Sequence, residues 1–222
     1  MTTDGQPPIF YGYHRSSASY RCRIAFNLKG FATRQRAIHL RRDGGEQKTA
    51  AYRAVNPQGL VPALAIGAAT LTQSLAIIEW LDETQPAPPL LPRDPLSRAQ
   101  VRAFAQAIAM EIHPLNNLRV LDRLKSEFGA DQAAVDRWYR GWIAVGLEAC
   151  ERLLERRGES RLYCFGPTPS LADICLVPQL YNARRFGADL SPYPLLGAVD
   201  RTCAEHPAFL AALPERQPDA EP

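Results

Sequence analysis

Three serines lie close together where an extended segment gives way to a helical pattern. Ser16, Ser17 and Ser19 follow the β-forming run Ile9–His14 and open the amphipathic stretch Ser17–Lys29. The first amides of a helix have no carbonyl partner within it and lie at the positive end of its dipole, so hydroxyl donors placed there favour an anion. For a thiol, whose unperturbed pKa is about 8.5, such surroundings favour the nucleophilic thiolate. The pattern predicts an anion site, the alternative being serines that only cap the helix.

The elements that would position these serines form a small α/β domain. Strand patterns cover Ile9–His14 and Thr33–Leu40, and the helix Ser17–Lys29 lies between them and ends at Gly30. The order strand, helix, strand predicts that the two strands are parallel. Three further elements are expected in this domain: hairpin strands over Pro62–Ile66 and Ala69–Thr72, and a helix that begins at Ser74.

Helical periodicity dominates the rest of the chain. Five prolines in residues 85–95 stiffen the backbone there, so we expect an α/β domain over residues 1–86, a linker over 87–95 and an all-helical domain over 96–222. Apolar positions mark two long helices, one through Val101, Phe104, Ala105, Ile108 and Ile112, the other through Val135, Trp138, Trp142, Val145 and Leu153. Ser170 and Asp173 form a capping box for a helix over 171–186. The polar segment from Pro214 is expected to be mobile.

A second polar cluster surrounds Pro114. This proline removes a backbone hydrogen bond and should kink its helix beside His113, Asn117 and Arg119. On an ideal helix His113 and Asn117 share a face, since they are four residues apart. The cluster is a functional candidate, although a lone histidine is also common as a structural or solvated residue.

Composition excludes several classes of protein. A formal net charge of +3, with 23 arginines and only three lysines among the 26 basic residues, is too small for a nucleic-acid binder that relies on a basic face. The longest nearly apolar stretch, residues 60–71, is far shorter than the ~20 residues that span a bilayer. Five cysteines without a C-x-x-C pair, and a polar start without a signal-peptide pattern, predict reduced thiols and a cytoplasmic location. No metal site is expected.

The sequence YHRSSASYRCR at residues 13–23 resembles the R-S-S-C-S-W-R-V-R signature of zeta-class glutathione transferases, a class that includes maleylacetoacetate isomerase. Further matches run along almost the whole chain: Asp43-Gly44-Gly45, Asn56-Pro57-Gln58, Val61-Pro62, Gln73-Ser74, residues 112–117, Leu171-Ala172-Asp173, Val177-Pro178-Gln179 and residues 216–219. The resemblance implies a thioredoxin-like α/β domain followed by an all-α domain, glutathione as cofactor and a homodimer. One position departs from the signature: Ala18 stands where the family has Cys or Thr.

The resemblance also implies roles for individual residues. Ser16 would stabilise the sulfur of glutathione, with Arg15 beside it in the catalytic site. The remaining residues implied to bind glutathione are Ser17, Gln47, Val61, Pro62, Gln73, Ser74, His113 and Asn117. Within this set Pro62 would be cis, Val61 would offer its backbone to the cysteinyl part, and Gln73 and Ser74 would hold the γ-glutamyl carboxylate. Arg15, Arg119 and Arg185 would bind the carboxylates of a small dicarboxylic substrate, with a solvated Arg119 as the alternative.

The expected activity is glutathione-dependent cis–trans isomerisation of maleylacetoacetate, by thiolate addition, bond rotation and elimination. Maleylpyruvate is the alternative substrate, since it shares the enol-diketo acid core. A general zeta-class transferase acting on haloacids or peroxides, and a noncatalytic glutathione-binding protein, are the other hypotheses. No nucleic acid or membrane partner is expected.

Overall fold

The computed structural model describes residues 6–158 and 162–221. The described chain divides into two compact units. Unit 1 comprises residues 6–89 and 206–221, and unit 2 comprises residues 90–158 and 162–205. The sequence assigned residues 206–222 to the helical domain, so the described part of this segment is a correction to the predicted domains.

Unit 1 is an α/β structure built on a four-stranded sheet. Its strands are β1 (Ile9–Gly12), β2 (Arg34–Ala37), β3 (Ala63–Ile66) and β4 (Ala69–Thr72), and its first helices are α1 (Ser17–Lys29), α2 (Ala50–Val55) and α3 (Ser74–Thr84). The strand order is β2-β1-β3-β4. The parallel pairing of β1 with β2 and the antiparallel β3–β4 hairpin confirm the predicted connections.

Helix α1 begins and ends as its sequence predicts. Ser16 is the N-cap, and its side chain accepts a hydrogen bond from the amide of Ser19. Gly30 ends the helix in the left-handed region at φ 59°, a conformation that glycine adopts without steric cost. Phe26 packs edge to face on Phe10 of β1 at 5.0 Å between ring centroids. Both rings are buried, so strand and helix fix the short connection between them, which carries Ser16.

The segment after residue 205 returns to unit 1. It contains a short helix α9 (Pro207–Ala211) and a 3₁₀ turn, Pro214–Arg216. From α1, Arg23 Nε donates to the carbonyl of Ala212 at 3.1 Å and Asn27 Nδ2 to that of Ala208 at 2.9 Å. The expectation of a mobile segment from Pro214 is wrong for residues 214–221, because their polar groups bond within unit 1.

Unit 2 is helical, and its described residues form no strand beyond an isolated bridge between Tyr163 and Gly166. Its helices are α4 (Pro95–Gln106), α5 (Leu118–Phe128), α6 (Gln132–Glu155), α7 (Leu171–Arg185) and α8 (Pro194–Glu205). The capping box before α7 is confirmed, with the Asp173 carboxylate accepting from the Ser170 amide at 2.8 Å. No helix among the described residues is both long enough and apolar enough to cross a bilayer.

The buried face of α6 differs from the predicted one. Its core side chains are Val135, Tyr139, Ile143, Leu147, Cys150 and Leu154. The sequence-based face included Trp142, Val145 and Leu153, which are exposed. Apolar residues occur on more than one side of this helix, so periodicity alone did not identify the side that packs.

The region between α4 and α5 is irregular. A π-helical segment, Ala107–Ile112, continues α4, and a 3₁₀ turn at Pro114–Asn116 leads into α5. Ile112 is fully buried against Gly146 of α6, where an added Cβ would lie 2.2 Å from Ile112 Cγ1. The absence of a side chain at Gly146 therefore allows α6 to approach the irregular region.

We expect Gly146→Ala to destabilise unit 2, because the added Cβ would overlap the buried Ile112 side chain and such overpacking typically costs about 1–3 kcal/mol. Gly141→Ala is the matched control, since Gly141 lies on the same helix and a Cβ there would meet nothing within 4 Å. The control should gain up to about 1 kcal/mol from helix propensity. Thermal or urea unfolding of both variants measures the difference, and equal stability would contradict the packing argument.

Candidate active site

The connection between β1 and α1 is a tight turn, here called the Ser16 turn (residues 13–16). The Ser16 amide donates to the carbonyl of Tyr13 at 3.0 Å. Ser16 Oγ accepts from the Ser19 amide at 3.2 Å, which satisfies one of the unpaired amides of α1. A serine hydroxyl can accept and donate at once, so the cap leaves the Ser16 O–H free to donate to an anion. Capping and anion binding are thus compatible at this residue.

Some neighbours of Ser16 hold the turn in place, whereas others are exposed and could contact a ligand. Ser19 is buried, and its Oγ accepts from the Tyr13 amide at 3.3 Å, so it holds the turn rather than facing a ligand. Ser17 is buried as the first residue of α1. Arg15 is exposed, and the described residues give its guanidinium neither a hydrogen bond nor an ion pair. The turn therefore presents a cation and a hydroxyl in consecutive residues at the positive end of α1.

The loop before β3 carries the predicted cis proline. The Val61–Pro62 peptide is cis, as the resemblance implied. Tyr52 Oη and Asn56 Nδ2 each donate to the carbonyl of Leu60 at 2.7 Å, which fixes the backbone entering Val61.

Gln47 lies in a 3₁₀ turn, Glu46–Lys48, and is buried. Its Nε2 donates to the carbonyl of Leu40 at 3.1 Å. This contact holds Gln47 within unit 1, and its glycyl-end role stays a prediction.

Helix α3 begins at Ser74, as its sequence predicts. Gln73 is the N-cap, at φ 69°, and Ser74 is the first helical residue. Such a left-handed non-glycine residue costs of order 1–3 kcal/mol and is frequent at ligand sites. Gln73 Nε2 donates to Gln58 Oε1 at 2.9 Å, and buried Arg21 donates to Ser74 Oγ at 3.4 Å. The latter bond ties the start of α3 to α1.

The polar residues around Pro114 belong to unit 2 and do not form one helical face. Asn117 is extended, at φ −69° and ψ 147°, and caps α5 by accepting from the Arg119 amide. The expected pairing of His113 and Asn117 on an ideal helix is wrong, because the 3₁₀ turn at Pro114–Asn116 separates them. Asn116 Nδ2 donates to the carbonyl of Tyr139 at 3.3 Å, which connects this region to α6.

Arg185 ends α7 beside an aromatic pair. Its guanidinium lies 4.9 Å above the Phe186 ring, and that ring stacks on Tyr139 at 3.7 Å. Asn182 Nδ2 donates to the Tyr139 hydroxyl. Burial raises the pKa of Tyr139 to about 12, against the lowering effects of Asn182 and Arg185, so its hydroxyl stays protonated at neutral pH. The aromatic pair gives the exposed Arg185 a fixed platform.

Arg119 is exposed on α5 and lines an open surface pocket of about 370 Å³. Arg123 and Phe128 line the same pocket. This geometry leaves both the substrate-binding and the solvated interpretations of Arg119 in place.

All five cysteines lie in the described ranges, are buried and form no disulfide. Among the described residues, no group of three or more His, Cys, Asp or Glu side chains could hold a metal ion.

Comparison with known proteins identifies the family. Residues 10–89 match the glutathione S-transferase N-terminal domain, and residues 132–212 match the glutathione S-transferase C-terminal domain. The chain is 50% identical to a probable maleylacetoacetate isomerase of Vibrio cholerae, over 96% of this chain and 98% of that protein. It is 49% identical to a bacterial zeta-class maleylpyruvate isomerase of solved structure, with TM-score 0.93, over 96% of this chain and 100% of that one.

A third similar protein is a maleylacetoacetate isomerase of Anaeromyxobacter dehalogenans, whose structure has glutathione bound in the active site. It is 43% identical with TM-score 0.86, over 97% of this chain and 98% of that one. The α/β unit, the helical unit and these similarities lead to one conclusion: the chain belongs to the glutathione S-transferase family, in the zeta class.

Proposed function

We propose that this chain is a glutathione-dependent cis–trans isomerase that acts on maleylacetoacetate. The observation that carries the proposal is the Ser16 turn, where a hydroxyl donor at the positive end of α1 can stabilise a thiolate. Maleylpyruvate is the second candidate substrate, because a zeta-class relative of nearly equal similarity carries that name. The same donor geometry serves both substrates.

The donor chemistry of unit 1 fits glutathione, which has two carboxylates and a thiol. The Ser16 hydroxyl suits the sulfur, and the first amides of α3, beginning at Ser74, suit a carboxylate. The backbone of Val61 suits the peptide part. Ser17, Gln47, Pro62 and Gln73 complete the glutathione-binding set proposed for this unit.

Unit 2 is proposed to contribute both glutathione-binding and substrate-binding groups. His113 and Asn117 are assigned to glutathione, and Arg119 and Arg185 to the substrate carboxylates together with Arg15 of unit 1. A guanidinium fork pairs with a carboxylate through two parallel hydrogen bonds, so arginines suit a dicarboxylic acid.

In the proposed mechanism the cofactor provides the nucleophile, and the protein stabilises the charges. When bound, glutathione would supply the thiolate nucleophile for addition to the cis double bond and for the later elimination. Ser16 holds the proton of its hydroxyl toward the sulfur and so favours the thiolate form. The arginines neutralise the carboxylates and the negative charge that develops on the substrate. Ala18 supplies no polar group, so the hydroxyl of Ser16 has to suffice.

Turnover of both substrates, each with and without glutathione, tests this proposal. We expect isomerisation only when glutathione is present, with maleylacetoacetate the better substrate. Isomerisation without glutathione would contradict it, and activity on maleylpyruvate alone would favour the second candidate. Conjugation of haloacids or reduction of peroxides without isomerisation would indicate a general transferase. Failure to bind immobilised glutathione would indicate a noncatalytic protein.

A cytoplasmic location and a homodimeric state are also proposed. Both rest on the resemblance to zeta-class glutathione transferases. Sedimentation equilibrium of the purified chain would test the dimer.

A further inference from the structure

The end of the described chain lies against the Ser16 turn. Residues 214–221, here called the C-terminal strap, follow α9 and belong to unit 1. Within it Gln217 is buried, and its Nε2 donates to the carbonyls of Ala211 at 3.0 Å and Leu213 at 2.8 Å. These bonds anchor the strap, so its acidic side chains have fixed positions.

Asp219 of the strap bonds directly to the Ser16 turn. Its Oδ2 accepts from the backbone amide of His14 at 2.9 Å and lies 3.5 Å from His14 Nδ1. On the other side of this residue, Arg23 donates to the carbonyl of His14 at 3.0 Å. The amide and the carbonyl of His14 are therefore both held, two residues before Ser16.

The imidazole of His14 is 3% exposed. Burial and the nearby Arg15 guanidinium lower the pKa of His14, whereas the Asp219 carboxylate raises it. The net shift is downward, so the ring is neutral at neutral pH. The bond from the backbone amide to Asp219, rather than a full ion pair, therefore holds the turn.

A second contact of the strap is weaker. Glu221 Oε1 lies 3.1 Å from His39 Nε2 and 3.1 Å from an Arg42 guanidinium nitrogen. Glu221 is 42% exposed and the Arg42 side chain 57%, so solvent screens this ion pair. Asp219, at 20% exposure against a buried partner, is the stronger anchor.

We propose that Asp219 is a positioning residue for thiol activation, acting through the His14 amide to fix the direction of the Ser16 hydroxyl. The inference rests on the proposed role of Ser16 toward glutathione. It requires no contact of Asp219 with either glutathione or substrate. Truncation of Asp219 would leave the buried His14 amide without its acceptor and allow the turn to shift.

The test compares Asp219→Ala and Asp219→Asn with Glu215→Ala in the full-length protein. Glu215 is exposed on the same strap, so its variant makes the same change of charge at a different position of the strap. The primary measurement is the pH titration of the ultraviolet absorbance of glutathione thiolate bound to each variant. Circular dichroism checks that each variant is folded.

For Asp219→Ala we expect the pKa of bound glutathione to rise toward the ~8.5 of a free thiol. Because a displacement of about 1 Å can cost ~100-fold in rate, we expect kcat to fall about tenfold at neutral pH. Asp219→Asn should restore most of both values, since its amide oxygen can still accept from His14. Glu215→Ala should match the unmodified chain.

If folded Asp219→Ala binds glutathione with an unshifted thiol pKa, the proposal is overturned. It is also overturned if Asp219→Asn loses as much activity as Asp219→Ala. The titration needs no substrate, so it separates this inference from the choice of reaction. If the unmodified chain binds glutathione with a normal thiol pKa, the proposed role of Ser16 fails first.

Discussion

Replacing Ser16 by alanine is expected to lower kcat/KM for isomerisation by about 100- to 1,000-fold, the usual effect of removing one donor to a reacting anion. The Ser16 O–H is the side-chain donor proposed to act on the sulfur, and Ala18 offers no substitute. The pKa of bound glutathione should rise in parallel, because the thiolate loses a hydrogen bond. Steady-state kinetics and thiolate absorbance measure the two effects.

The Ser16 variant also removes the cap of α1, so a second variant separates the two roles. Loss of a serine cap costs ~1 kcal/mol for alanine but only a few tenths for glycine. Ser16→Gly should therefore be nearly as stable as the unmodified chain and as inactive as Ser16→Ala. Ser16→Thr should retain activity, since it keeps the hydroxyl. Full activity in Ser16→Gly would mean that Ser16 only caps the helix.

Replacing Arg185 by alanine is expected to raise KM for the dicarboxylic substrate by about 10- to 100-fold, since a hydrogen bond to a charged group contributes ~1.5–3 kcal/mol. The guanidinium lies over the Phe186 ring, which in turn stacks on Tyr139, so less side-chain entropy is lost on binding. The effect on kcat should be smaller than that on KM. The KM for glutathione should not change.

Arg184 provides the matched control for this prediction. It is the adjacent basic residue, but its guanidinium pairs with Asp200 of α8. Arg184→Ala changes the net charge by the same amount and should leave the substrate KM within about twofold, because the Arg184 guanidinium is engaged by Asp200 and not available to a substrate carboxylate. A similar rise of KM in both variants would show that overall charge, not a carboxylate site, produces the effect.

Local signals in the sequence predicted the architecture around the Ser16 turn. A few neighbouring residues are enough to recognise a serine N-cap, a glycine at a helix end or a short strand pattern. The elements β1, α1 and β2 therefore lie close to their expected positions. The cis Val61–Pro62 peptide came from the resemblance, since nothing in the local composition distinguishes a cis from a trans proline.

Contacts between distant segments were not predictable in this way. Asp219 lies 205 residues from its partner His14, so the sequence around it gives no sign of this contact. A polar segment that contains proline instead predicts mobility. The left-handed conformation of Gln73 was also missed, because glutamine shows no preference for it. At Asn117 the helical spacing failed because the backbone leaves the α conformation, which an i, i+4 argument assumes.

The discontinuity of unit 1 has a consequence for synthesis on the ribosome. Its last segment, residues 206–221, is translated after all 116 residues of the 90–205 stretch. At ~5–20 residues per second, this interval lasts roughly 6–23 s. Through that time the His14 amide lacks Asp219, and Arg23 and Asn27 lack the carbonyls of Ala212 and Ala208. The unit that carries Ser16 therefore gains these native contacts only after the whole helical unit has been synthesised.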